Sequence, residues 1–318
     1  MLDKKAMKDT YCETLMELMQ ENPQLVVLEA DLMSASGTKP IMGKYPDRLI
    51  NVGVAEANMV GVAAGLSTFG KVPVCDTFAA FMSRRTYDQI CISVCYAGLN
   101  VKFVGTDPGI AAERNGGTHT AFEDVALMRT LPTMKVIEPC DNLQLKKAVK
   151  VMVNTDGPVY MRLYRRNPHI VYSDTDYEFV LGKADTLQEG KDLTIIASGL
   201  MVWNSLVAAE TLRGKGINAR VVNMHTIKPI DEEAILKAAR ETGAIVTAEN
   251  NNYLNGLGSA VAEVLCENDA SVPFKRIGIK DHFSEIGTQE YLFKKFHIAP
   301  EDIVEASLDV LKKKDLYK

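Results

Sequence analysis

The sequence predicts an α/β protein of two domains, each a mostly parallel sheet flanked by helices, and three observations carry that expectation. Short β-branched runs alternate with segments whose apolar residues recur near every 3.6 positions, the pattern of a strand followed by its covering helix. At 318 residues, 47% of them hydrophobic, the chain exceeds the usual size of one core. Between Arg165 and Asp192 the alternation gives way to RRNPHIVYSDTDYEFVLGKADTLQEGKD, polar and turn-rich, with no helical stripe. Residues 1–170 are expected to form one domain, 171–190 a linker and 191–318 a second domain.

In the first domain the expected strands are LVVLEA, RLINVG, VPVCDTF, NVKFVGT and MKVIEP. In the second they are DLTIIAS, INARVVNMH, AIVTAEN and PFKRIGI, with helices near residues 202–213, 231–241 and 254–267. The net charge of −5 gives no basic face for nucleic acid or an anionic membrane. The N-terminal twenty residues turn amphipathic without the apolar core of a signal peptide, and no window is apolar enough for a membrane span. Six scattered cysteines read as reduced, mostly buried residues. A cytoplasmic protein is expected.

Ligands of open α/β sheets gather beyond the carboxyl ends of strands, and four such segments are chemically loaded. LVVLEA is followed by Asp31, Ser34 and Ser36, and RLINVG by Glu56. VPVCD leads into TFAAFMSRR, where Phe78, Phe81 and Arg84 recur every three residues on one helical face. NVKFVGT opens a long loop, DPGIAAERNGGTHTAFED, with Asp107, Arg114, Asn115 and His119. Each has a plain alternative: Glu56 as a first-turn carboxylate facing the helix dipole, the phenylalanines as core, His119 as a surface histidine. The GLG of NNYLNGLGSAV lacks dinucleotide spacing, and no zinc spacing, G-x-S-x-G or Walker loop occurs.

Taken together, GVAEANMVGVAAGL, TFAAFMSRRTYDQI, NGGTHTAFEDVALMRTLP and VVNMHTIKPID resemble the thiamine-diphosphate enzymes of the transketolase type, over nearly the whole chain. The resemblance implies a pyrimidine-binding domain followed by a transketolase C-terminal domain. The family's GDG magnesium motif is missing, so the chain resembles the C-terminal half of a split transketolase. A separate diphosphate-binding subunit would then hold most of the thiamine diphosphate and its Mg²⁺ (or Ca²⁺), in an α2β2 heterotetramer. No residue of this chain is assigned as a metal ligand.

By the same resemblance Glu56 exchanges a proton with the cofactor's pyrimidine, which Phe78 and Phe81 sandwich. Arg84 stands where most full-length transketolases carry tyrosine, closer to deoxyxylulose phosphate synthase. Asp31 corresponds to an acidic residue reaching the cofactor, His119 to the histidine that bonds the sugar, and Arg165 to a phosphate-binding arginine. Arg162 is read as structural. Lys8 and Ser36 fall near phosphate-binding positions. Asp107 replaces a usual histidine, and Asn115 an aspartate that reads a sugar hydroxyl, so the anionic ketose need not be the ordinary one; a sulfonate is a live candidate. Glu249, Asn250, His225 and His282 are the best polar residues of the C-terminal domain, which is assigned no catalytic residue. The expected activity is transfer of a two-carbon ketol unit from a ketose to an aldose. The alternatives are the beta subunit of a 2-oxo acid dehydrogenase, a deoxyxylulose phosphate synthase relative, or a non-catalytic assembly subunit.

Overall fold

The computed structural model describes residues 1–316 and holds two sheets. The strands are β1 (Leu25–Glu29), β2 (Leu49–Asn51), β3 (Val72–Phe78), β4 (Lys102–Thr106), β5 (Lys135–Ile137) and β6 (Val159–Leu163). They continue with β7 (Asp185–Gln188), β8 (Leu193–Ala197), β9 (Ala219–Asn223), β10 (Thr226–Lys228), β11 (Ile245–Asn252) and β12 (Phe274–Ile279). The first sheet runs β10-β5-β6-β4-β3-β1-β2 and the second β12-β11-β8-β9-β7. Only β10 and β7, each at a sheet edge, pair antiparallel.

Alternation along the strands explains why both faces are covered. In β1, Leu25 and Val27 enter one core while Val26 and Leu28 enter another, and Ile195 and Ile196 of β8 divide in the same way. The three helices expected in the second half form as Leu200–Arg213, Glu232–Thr242 and Leu257–Glu267. Asp231 caps the second, accepting from the Ala234 N–H at 3.1 Å, and Gly243 ends it with φ 59°. No described helix is long and apolar enough to cross a membrane. All six cysteines are free; Cys266 is exposed, Cys91 partly buried and the other four buried.

Three strands lay outside the sequence expectation. VYMRL forms β6, a fully buried strand between β4 and β5 that the mixed polarity of Tyr160 and Arg162 had disguised. Asp185–Gln188, inside the stretch expected to be linker, forms β7 at the edge of the second sheet. Thr226–Lys228 returns from the second half to extend the first sheet against β5. The two halves are therefore laced together.

Arg162 ties the lacing. Its Nε and Nη2 donate to Asp124 at 2.8 and 3.1 Å, Nη1 donates to Glu138 Oε1 at 2.7 Å, and Nη2 also reaches the Asn250 carbonyl at 3.0 Å. The other Glu138 oxygen accepts from Ser198 Oγ at 2.6 Å. The structural role expected for Arg162 matches this buried position.

Candidate active site

The carboxyl ends of β1, β2, β3, β4 and β6 present Asp31, Glu56, Phe78, Asp107 and Arg165 at one end of the first sheet. Glu56 begins the helix Glu56–Thr68, only 5% exposed, and its Oε1 accepts from Arg85 Nη1 at 2.6 Å. Phe78 ends β3 and Phe81 lies one turn into the next helix, so their rings meet edge to face at 5.7 Å between centroids. The loop after β4 brings His119 against both, 5.6 Å from Phe78 and 5.1 Å from Phe81. Three rings and one buried carboxylate thus share one end of the sheet.

Arg85 links them: its guanidinium lies 3.8 Å from the Phe81 ring centroid while it bonds Glu56. The sequence points to Arg84, because counting by threes from Phe78 and Phe81 arrives there. Positions i+3 and i+4 from Phe81 share a helix face, so that count cannot choose between two adjacent arginines. Arg84 instead turns to the loop, donating to the carbonyls of Thr118 (3.3 Å) and Thr120 (3.0 Å) and pairing with Glu123 at 3.2 Å.

Arg165 reaches from the end of β6 to donate its Nε to Asp107 Oδ2 at 2.5 Å, with Nη1 on the Ala35 carbonyl and the guanidinium 5.1 Å from the Phe78 ring. Asp107 is fully buried on left-handed backbone, φ 49°. Burial pushes its carboxyl above the usual aspartate range, and the positive charge of Arg165 works against that push. Lys8 stands beside Arg165, its N–H on the Arg165 carbonyl at 3.2 Å.

Among the described residues, the remaining expected residues make no bond to the rings or to Glu56. Asp31, φ 64°, is exposed and pairs with the Asn51 amide. Asn115 is exposed at the end of the loop's 3₁₀ turn. Ser36 faces inward and donates to Glu29 Oε1 at 2.5 Å, so its hydroxyl is not brought to the cluster. In the second half, Glu249 accepts from the N–H groups of Leu257 (2.8 Å) and Gly258 (2.9 Å). The helix N-terminus behind the GLG is therefore filled by the protein's own carboxylate, and burial raises Glu249 to about 7. His225 is buried against Phe179 and lowered to about 4, mainly by burial; His282 is exposed.

Phe81 and His119 keep part of their ring surface exposed beside buried Phe78, and the second oxygen of Glu56 makes no hydrogen bond among the described residues, a set suited to a heteroaromatic ligand. Among the described residues no three His, Cys, Asp or Glu group together to hold a metal ion.

The family model for the transketolase pyrimidine-binding domain matches residues 3–169, and that for the transketolase C-terminal domain residues 182–303. The chain is 52% identical, over 99% of its own length and 97% of the relative's, to the 6-deoxy-6-sulfo-D-fructose transketolase subunit SqwH of Clostridium sp. strain MSTE9. It is 40% identical to one subunit of the apulose-4-phosphate transketolase of Phocaeicola vulgatus, over 97% of this chain and 98% of that one. A solved split-gene transketolase, described as an inactive beta4 tetramer, superposes with a TM-score of 0.88 at 44% identity, covering 97% of this chain and 99% of its own.

Proposed function

The chain belongs to the transketolase family, and from that premise we propose that it is the pyrimidine-domain subunit of a split transketolase. In this reading it moves a two-carbon ketol unit from an anionic ketose to an aldose, only when assembled with a diphosphate-binding subunit. The observation that carries the reading is the convergence of buried Glu56 with Phe78, Phe81 and His119 at the carboxyl ends of the strands.

Thiamine diphosphate, when bound, supplies the carbon nucleophile of the reaction. Phe78 and Phe81 would flank its pyrimidine, and Glu56 would hold or release a proton at the ring nitrogen facing it. His119 would donate to or accept from the sugar's oxygens. Mg²⁺ and most of the diphosphate would rest on the partner. The helix Glu56–Thr68 supports a partner at this edge: Asn58, Gly61 and Gly65 leave its outer face bare and small, and Val54 just before it is 74% exposed.

For the donor, the reading is a ketose ending in a monoanion such as a sulfonate, the class named for the Clostridium relative. Asp107 offsets the charge of Arg165, leaving little net positive charge for the dianionic phosphate of a sugar phosphate. The test is to mix the chain with a diphosphate-binding subunit, thiamine diphosphate and Mg²⁺, and compare 6-deoxy-6-sulfofructose with fructose 6-phosphate as donors. Transfer only in the mixture, at least about tenfold better in kcat/KM from the sulfosugar, is expected. Full activity of the chain alone contradicts the split reading, and equal use of both donors contradicts the sulfonate assignment.

A further inference from the structure

The loop from Asp107 to His119 must satisfy its own backbone while holding several residues in left-handed geometry. Asp107 has φ 49°, Gly109 60°, Glu113 47° and Gly116 70°. Such conformations persist in non-glycine residues only where the surroundings over-determine them. Part of those surroundings belongs to the other domain. Asn250, on the overhang of β11, accepts the Ile110 N–H on its Oδ1 at 2.9 Å and donates its Nδ2 to the Pro108 carbonyl at 3.0 Å. Two residues on, the Asn252 N–H donates to the Phe122 carbonyl at 2.7 Å, closing the loop's far end.

The Asn250 side chain thus imitates the peptide of a neighbouring strand. It answers one N–H and one C=O two residues apart, and it is fully buried. The fit is mutual: a Cβ on Gly109 would fall 2.3 Å from Asn250 Oδ1, so only glycine admits this side chain. The Asn250 carbonyl is in turn held by Arg162 Nη2, which joins the brace to the seam between the sheets.

We propose that Asn250 is a positioning residue for the reaction. It fixes Pro108–Ile110 so that Asp107 meets Arg165 and the loop carries Asn115 and His119 to the substrate. The inference rests on the ketol-transfer reading and gives the C-terminal domain a part in substrate handling. Glu56, Arg85 and Phe81 lie on other elements, so cofactor affinity should depend little on the brace.

The test uses the chain assembled with its diphosphate-binding partner. Asn250→Ala orphans two buried backbone groups and should raise the KM of the donor ketose by at least about tenfold, while the thiamine diphosphate Kd changes by less than about twofold. It should also speed hydrogen exchange at the Ile110 amide. Asn250→Asp keeps the acceptor for Ile110 but, once ionised, has no hydrogen for the Pro108 carbonyl. Its donor KM should approach that of the unmodified chain at low pH, where the carboxylic acid restores the donor, and rise with pH. An unchanged KM in Asn250→Ala, a loss confined to cofactor affinity, or a KM in Asn250→Asp with no pH dependence beyond that of the unmodified chain would overturn the proposal. Absence of ketol transfer in the unmodified complex would instead defeat the functional reading, with the Ile110 exchange rate still reporting on the brace.

Discussion

At the seam between the two sheets, Asp124 and Glu138 are buried around Arg162, which bonds both; behind β1, Glu29 and Asp76 are equally buried with no cation between them among the described residues. Glu29 and Asp76 are register partners on adjacent parallel strands, so their side chains leave the same face of the sheet side by side. Ser36 and Thr38 donate to Glu29 Oε1, yet among the described residues Glu29 Oε2 accepts no bond, and Asp76 has only the Tyr11 hydroxyl beside it. Burial and mutual repulsion disfavour two ionised carboxylates there. Burial raises Glu29 to about 7 and Asp76 well above the aspartate range, and the charge of Glu29 pushes Asp76 further up. The contrast separates two uses of buried acid. Around Arg162 one cation lies between two acids and joins two domains; behind β1 burial without a cation favours the protonated acid.

Breaking the Arg162 cluster should have the larger effect. Arg162→Leu strands Asp124 and Glu138 in the interior, and should lower unfolding free energy by about 3–5 kcal/mol, seen as a fall in the urea midpoint. A loss below about 1 kcal/mol would mean that the cluster is not the joint it looks to be.

The uncompensated pair predicts a smaller, pH-dependent effect whose sign is fixed. A carboxyl raised on folding binds its proton more tightly in the folded chain, so its contribution is fully present below its unfolded pKa. For Glu29 that contribution is lost as pH rises from about 4.5 through about 7. Asp76→Asn replaces one acid by a neutral isostere and relieves the other. The variant should show a flatter decline of stability between pH 5 and 8, gaining on the unmodified chain by roughly 1–3 kcal/mol at the alkaline end. A parallel pH profile for the two proteins would show that the pair holds no extra proton.

This difference was not legible in the sequence, and the reason is physical. Glu29 and Asp76 are adjacent only because β3 lies beside β1, and strand order is not written in local periodicity. Asn250 and Ile110 bond across 140 positions, beyond any pattern of spacing. The alternation of strands and helices, by contrast, is local, and most strands and the three C-terminal helices stand where it placed them. Phe78, Phe81 and His119 could be singled out because each lies at or just after a strand end, where an open sheet gathers its ligands. Arg85 escaped because two neighbouring arginines satisfy one helical count. Ser36 was misdirected because sequence cannot say that Glu29, seven residues earlier, claims its hydroxyl.

Glu56 differs from both buried pairs: a cation holds one oxygen while the other makes no bond among the described residues, the arrangement expected of an acid kept for a ligand. The most direct measurement is turnover of the assembled complex carrying Glu56→Gln, beside its cofactor affinity and melting temperature. The account predicts an intact, correctly assembled complex whose kcat falls by at least about a hundredfold, because glutamine keeps the shape and loses the exchangeable proton. A kcat within about twofold of the unmodified complex would contradict it.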